Sequence, residues 1–217
     1  MTTIEVLDDP AEAVAELLAQ AARAGGQIVL TGGSSPKRAY ELAAQRAPDW
    51  SAATVWFTDE RCVPPDDERS NFAMTDRALL ARLAQRPRVM RMHGELGPEA
   101  GAQAYAAELG DNPQFDVILL GLGPDAHIAS LFPGRPEKQV TDRLVVGVPE
   151  AGMEPYVPRI SLTLPAINAA KQKVFLVTGE NKQEAVRRAF GDPADGESPA
   201  AHVRPATVYL DPPAAGR

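Results

Sequence analysis

The chain has 217 residues, 44% hydrophobic and 24% charged, with 22 basic against 29 acidic residues and a net charge of −7. That length can bury a sizeable core in one large α/β domain or two small ones, and an acidic surface without blocks of like charge speaks against nucleic acid or an anionic membrane as a main partner. A single cysteine, Cys62, leaves no intrachain disulfide and no cysteine-built zinc cluster.

The opening residues MTTIEVLDDP carry no basic region followed by an apolar core, so the expected setting is the cytoplasm. Ile4 to Leu7 reads as a short strand. Asp9-Pro10-Ala11-Glu12 then reads as an N-cap, a first-turn proline and a capping-box acid. Val14, Leu17, Leu18 and Ala21 recur at spacings of three and four, which predicts an amphipathic helix stopped by Gly25-Gly26. Ile28 to Leu30 is the next buried strand, and it runs into Thr31-Gly32-Gly33-Ser34-Ser35-Pro36, with a helix predicted from Pro36. A strand, two glycines, two hydroxyls and a helix start make an anion site: free N–H groups of the first turn point outward and the helix dipole favours negative charge. Ser35 as a plain N-cap is the structural alternative.

Thr54 to Phe57 is another strand, followed by Asp59-Glu60-Arg61 and a proline-rich acidic loop, Cys62 to Arg69, expected at the surface. On charge alone those three residues read as a solvated cluster; their place after a buried strand makes them site candidates. Ser70 or Asn71 is predicted to cap a helix carrying Met74, Leu79, Leu80 and Leu83. Val89 to Met92 is expected as a strand and Pro98 to Leu109 as a helix.

Phe115 to Gly134, FDVILLGLGPDAHIASLFPG, holds the most informative pattern. Its continuous apolar run, Val117 to Leu120, reads as a strand buried on both faces. The chain then turns on Gly121 and Gly123 and presents Asp125 and His127 where open α/β sheets place chemistry, beyond the carboxyl end of a buried strand. Gly121, Gly123 and Ala126 also match the dinucleotide pattern G-x-G-x-x-[GA], but too few residues separate Ala126 from Pro133 for the required helix. Further strands are expected over Leu144 to Val148, Arg159 to Thr163, Val174 to Val177 and Val208 to Leu210, with helices near Ala166 to Ala170 and from Asn181. Alternating strands and helices predict one α/β domain over residues 1–217, a Rossmann-like, largely parallel sheet flanked by helices. Ser34, Ser35, Asp59, Arg61, His127 and Lys182 converge at its strand ends.

LTGGSSPKRAYELAA, WFTDERCVPPDDERSNFAM, FDVILLGLGPDAHIASLFPG and PRISLTLPAINAAKQKVFLVTGENK, in that order, resemble the glucosamine-6-phosphate isomerase/6-phosphogluconolactonase family, and the lactonase branch in particular. The resemblance implies cofactor-free, metal-free hydrolysis of 6-phosphoglucono-δ-lactone in the oxidative pentose phosphate pathway. Carried over by position, it implies His127 as the catalytic histidine with Asp125 beside it. Gly32, Gly33, Ser34, Ser35, Asp59, Arg61, Asn71, Gly123, Arg159 and Lys182 become candidates for holding the sugar phosphate. Ala126 stands where the family has glycine and Ile128 where threonine is common; if position 126 needs a positive φ, alanine costs about 1 kcal/mol.

A lactone is an activated ester, so its hydrolysis needs a positioned water, a base and oxyanion stabilisation. Histidine suits the base role near neutral pH. The backbone of Gly121 to Gly123 or Arg61 is expected to support the oxyanion. Cys62 as a thiolate nucleophile beside Arg61 is a minor alternative, and no GxSxG elbow supports a serine triad. Two other functions compete. One is a glucosamine-6-phosphate deaminase using Asp59 as an added base; the other is a non-catalytic sugar-phosphate binder, its catalysis spoiled by Ala126 and Ile128. The expected partner is a small sugar-phosphate lactone, and the chain is expected to be a monomer or weak homodimer.

Overall fold

The computed structural model describes residues 2–217. Its strands are β1 (Thr3–Val6), β2 (Gln27–Leu30), β3 (Thr54–Phe57), β4 (Asp59–Arg61), β5 (Arg88–Val89), β6 (Val117–Leu120), β7 (Val145–Val148), β8 (Arg159–Leu162), β9 (Gln172–Val177) and β10 (Thr207–Leu210). Its α-helices are α1 (Pro10–Arg23), α2 (Ser34–Arg46), α3 (Asn71–Ala78), α4 (Pro98–Leu109), α5 (Leu164–Asn168) and α6 (Gln183–Phe190). Seven strands form one parallel sheet in the order β1-β10-β9-β6-β2-β3-β5.

The apolar runs explain this arrangement, because a strand covered on both faces cannot alternate polar and apolar residues. Ile28, Leu30, Val117, Leu119, Val174 and Leu176 face one core with α1 and α2; Val29, Ile118, Leu120, Phe175 and Val177 face the other, under α4, α5 and α6. All four residues of β6 are buried. From β2 the chain proceeds outward to β3 and β5, and from β6 it proceeds the opposite way to β9 and β10. The order therefore reverses between β2 and β6, and the crevice beyond their carboxyl ends is where this class of sheet binds ligands.

Two buried tyrosines fix the strand ends that border this crevice. The Tyr40 hydroxyl accepts from Thr31 N–H (3.0 Å) and donates to Thr31 C=O (2.7 Å) just past β2. The Tyr105 hydroxyl accepts from Phe57 N–H (2.9 Å) and contacts Phe57 C=O (3.3 Å) where the short β5 no longer covers β3. Both replace ladder bonds that the sheet cannot supply there, which keeps buried backbone groups paired.

The structure corrects several sequence expectations. The strand expected over Val89 to Met92 is confined to Arg88–Val89. The segments at Leu144 to Val148 and Arg159 to Thr163 do form strands, but β7 and β8 join β4 in a separate antiparallel sheet, order β4-β8-β7, under α4. Asp9 makes no side-chain cap; Arg38 pairs with its carboxylate (2.5 Å). Helix α2 begins at Ser34 and has Gly33 as N-cap, so Ser35 is no cap. Its hydroxyl meets Thr178 Oγ1 at 2.7 Å. A short 3₁₀ turn, Glu180–Lys182, precedes α6. Among the described residues no helix is long and apolar enough to cross a membrane.

Candidate active site

The crevice is a cleft of about 300 Å³. One wall is the turn Thr31 to Pro36 after β2, the other the turn Gly121 to Ala129 after β6; Asp59, Arg61, Asn71, Arg159 and Lys182 complete it. Every site residue expected from sequence lines this cleft except Asp125, which contacts the His127 ring at Nδ1.

On the first wall, Gly33 has φ +107° and ψ 171°, a backbone region essentially closed to side chains. It aims the exposed start of α2, with Ser34 and Ser35, into the cleft. Gly32 is required for a different reason: a Cβ there would lie 1.9 Å from Asn71 Oδ1. Asn71 is itself buried, donating through Nδ2 to Asp59 C=O (2.9 Å) and Oδ1 (3.2 Å).

On the second wall the chain turns without forming a helix. Ala126 N–H donates to Gly123 C=O (2.9 Å) and Gly123 N–H to His127 C=O (2.9 Å), closing a tight loop. This loop places Ala126 at φ 68° and Ala129 at φ 48°. Each left-handed alanine costs about 1–2 kcal/mol relative to glycine, so the condition set by the sequence for strain at position 126 is met, and position 129 adds a second instance.

The His127 ring packs against the Gly123 backbone, where an added Cβ would sit 2.0 Å from Nδ1, and against the Phe132 ring, with centroids 4.7 Å apart. Its Nδ1 lies 2.5 Å from Asp125 Oδ1, and the same oxygen accepts from His127 N–H at 3.2 Å. A carboxylate on Nδ1 assigns the proton to that nitrogen and leaves Nε2 with the free lone pair. Burial opposes the Asp125 charge, but its hydrogen bonds with the ring and the backbone N–H of His127 count against that, and its carboxyl lies below the usual range. With His127 N–H on its Oδ1, Asp125 closes an Asx turn, and no helix follows it. Gly123 N–H, committed to His127 C=O, does not donate into the cleft.

The Asp59-Glu60-Arg61 cluster is not solvated. It forms β4, with Asp59 and Glu60 buried. Asp59 Oδ1 accepts from Thr58 (3.0 Å) and Asn71, and Oδ2 from Ser130 Oγ (2.7 Å). Glu60 accepts from Arg61 N–H, Ser70 Oγ, Asn71 N–H and Phe72 N–H at 2.6 to 2.9 Å, capping α3 from a neighbouring strand. Burial still pushes its carboxyl above the ordinary value. Ser70 is the N-cap of α3 as expected, accepting from Ala73 N–H (3.1 Å).

The cations are held by carbonyls and not by direct carboxylate contacts, with Asp59 and Asp125 near enough to favour the charged form of Arg159, and Asp125 that of Lys182. Lys182 Nζ donates to Leu122 C=O (2.8 Å), and burial lowers its pKa. Arg159 is 2% exposed; its Nη2 donates to Met153 C=O (2.8 Å) and Pro155 C=O (3.1 Å), and its guanidinium stacks over Phe132 at 5.5 Å. Arg61 Nη1 donates to Arg69 C=O (2.6 Å). The buried Nε atoms of Arg61 and Arg159 find no partner among the described residues. Cys62 is half-buried, and burial with the nearby Glu60 pushes its thiol up to about 11, the opposite of an activated nucleophile. Among the described residues no group of three or more His, Cys, Asp and Glu side chains is placed to hold a metal ion.

A parallel sheet with this switch point, a glycine-opened helix start and a histidine held by a carboxylate is an α/β arrangement that binds small ligands beyond its strand ends, and comparison with known proteins gives its family. A model of the family "Glucosamine-6-phosphate isomerases/6-phosphogluconolactonase" matches residues 2–210, and the chain belongs to that family. It is similar to a 6-phosphogluconolactonase of Streptomyces coelicolor, 41% identical over 205 residues, covering 86% of this chain and 78% of the relative. Among solved structures it is similar to the 6-phosphogluconolactonase from Trypanosoma cruzi, with TM-score 0.86, 26% identity and coverage of 100% and 97%. A monomeric glucosamine-6-phosphate deaminase shares the fold alone, at TM-score 0.84 and 20% identity over 99% of both chains.

Proposed function

We propose that this chain hydrolyses 6-phosphoglucono-1,5-lactone to 6-phosphogluconate, with His127 as general base. The observation that carries the reading is the short Asp125–His127 contact inside a cleft whose opposite wall is the α2 N-terminus. Asp125 holds the imidazole with Nε2 free to take a proton from water. The water attacks C1, and the resulting oxyanion is stabilised by N–H groups of the Gly121-Leu122 turn or by Arg61. Collapse breaks the bond from C1 to the ring oxygen, which receives the proton from the imidazolium; the new carboxyl then ionises. The substrate phosphate is held by the α2 N-terminus, Ser34 and Ser35, with Lys182, Arg61 and Arg159 as cationic partners.

The lactonase relatives and the engaged state of Asp59 favour this reading over amino-sugar deamination. That reaction needs a further carboxylate base, and both Asp59 oxygens already accept hydrogen bonds. A spoiled, non-catalytic binder is disfavoured because the loop accommodates Ala126 and still presents the Asp125–His127 pair.

Hydrolysis of freshly generated 6-phosphoglucono-δ-lactone, corrected for spontaneous opening, tests the proposal. Wild type should exceed the spontaneous rate, and His127→Ala should lower turnover by about 10² to 10⁴ while keeping the fold. Wild type at the spontaneous rate would overturn the proposal, and ammonia release from glucosamine 6-phosphate would replace it with the deaminase.

A further inference from the structure

We propose that Arg188 and Ser198, which lie outside the cleft, are positioning residues that hold the backbone of the His127 loop; the catalytic part of this inference rests on His127 being the base. Ala126 sits in the left-handed region immediately before His127, and alanine has no preference of its own for it. Such a residue persists where its surroundings over-determine it. Here the surroundings are specific. Arg188 Nη1 donates to Asp125 C=O at 3.0 Å, and Ser198 Oγ donates to Ala126 C=O at 3.1 Å. Those two carbonyls belong to the peptide planes on either side of Ala126. Fixing both planes fixes both of its dihedrals, and with them the direction in which His127 leaves the turn.

The donors are themselves anchored. Arg188 Nε donates to Asp195 Oδ2 (2.8 Å), and Asp195 N–H donates back to Arg188 C=O (2.7 Å). Ser198, fully buried, donates its N–H to Asp195 C=O (3.0 Å). The 191–198 loop is gripped from its far side by Lys138 Nζ on the carbonyls of Gly196 and Glu197 (3.1 Å each), and His202 Nε2 lies 2.8 Å from Gly196 C=O. This loop is therefore tied at several points; its Ser198 bonds the histidine turn directly, and its Asp195 anchors the Arg188 of α6 that bonds the turn as well. Neither Arg188 nor Ser198 lines the cleft, so neither is assigned contact with substrate.

The test combines kinetics with proton NMR of the Nδ1–H shared by His127 and Asp125, a resonance assigned by its absence from His127→Ala. Arg188→Ala should lower kcat about 10- to 100-fold with KM changed less than about twofold, the scale of a slightly misplaced catalytic group, and should shift or broaden that resonance. Ser198→Ala, which deletes one hydroxyl and keeps the fold, should do the same more weakly. Arg188→Lys keeps the charge but not the planar two-donor fork, so it should not restore kcat. In an Ala126→Gly background the Arg188→Ala loss should shrink several-fold, because glycine takes the left-handed conformation unaided. Wild-type kcat with an unmoved resonance in Arg188→Ala and Ser198→Ala would overturn the proposal, as would an equal loss in both backgrounds. If His127→Ala stays active, the base reading falls, whereas the resonance still decides whether the clamp holds.

Discussion

Two turns leave neighbouring strands at the same edge of the sheet and use glycine for opposite ends. After β2, Gly33 takes a conformation open only to glycine, and the chain passes at once into α2, so the product of the turn is a row of free backbone N–H groups. After β6, no helix follows, and Gly123 is needed because its missing Cβ is the space the imidazole fills. In the first turn glycine frees the backbone; in the second it makes room for a side chain. An anion can be held by dipoles that many backbones supply, whereas a proton must be moved at one atom, which demands a fixed side chain.

If that division is right, Gly123→Ala should be the most damaging change. Its Cβ would overlap Nδ1 and crowd Asp125 Oδ1 at 2.7 Å, so kcat should fall as far as for His127→Ala, about 10² to 10⁴, measured against spontaneous lactone opening. Gly33→Ala attacks the other turn. Forcing alanine into that region costs roughly 1–3 kcal/mol, and the loss should appear as a raised KM, about tenfold per 1.4 kcal/mol lost from binding, with kcat moved less. A kcat collapse in Gly33→Ala would break the comparison.

Lys182 joins the two turns, since it is tied to Leu122 C=O yet faces the anion site. Burial favours its neutral form, so its charge is lost at lower pH than for an exposed lysine. Binding of 6-phosphogluconate, followed by calorimetry, should therefore weaken as pH rises toward that lowered value. Lys182→Arg should flatten this alkaline limb; an unchanged limb would remove Lys182 from phosphate binding.

How much of this was legible in the sequence follows from the range of the forces involved. β6, β9 and the helix Pro98–Leu109 read correctly because burial on both faces and 3.6-residue periodicity are local patterns. The separate antiparallel sheet did not read, since β7 and β8 look like any short apolar strand and only their pairing with β4 sets them apart. Asp59 and Glu60 looked solvated because their partners, Ser130, Ser70 and Asn71, come from 10 to 71 residues away. His127 stood out from its setting after a buried strand. Arg188 and Ser198 did not, because a contact through backbone carbonyls leaves no motif.

The smallest predicted effect is the mirror of Gly33→Ala. Ala126→Gly should stabilise the fold by about 1 kcal/mol through removal of left-handed strain, offset in part by the extra freedom glycine gives the unfolded chain. In a chain of this size that corresponds to a rise of about 2 to 4 °C in Tm at most. kcat should stay within a few-fold, because Arg188 and Ser198 still fix the peptide planes on either side. Opposite substitutions at positions 33 and 126 would then have opposite signs: alanine is excluded at position 33, where the backbone itself must be free, and tolerated at position 126, where neighbours hold the backbone in place. A drop in Tm for Ala126→Gly would mean that the alanine methyl, fully buried in the core, contributes more by packing than its dihedral costs, and the second turn would have to be understood as packed into place instead of clamped against strain.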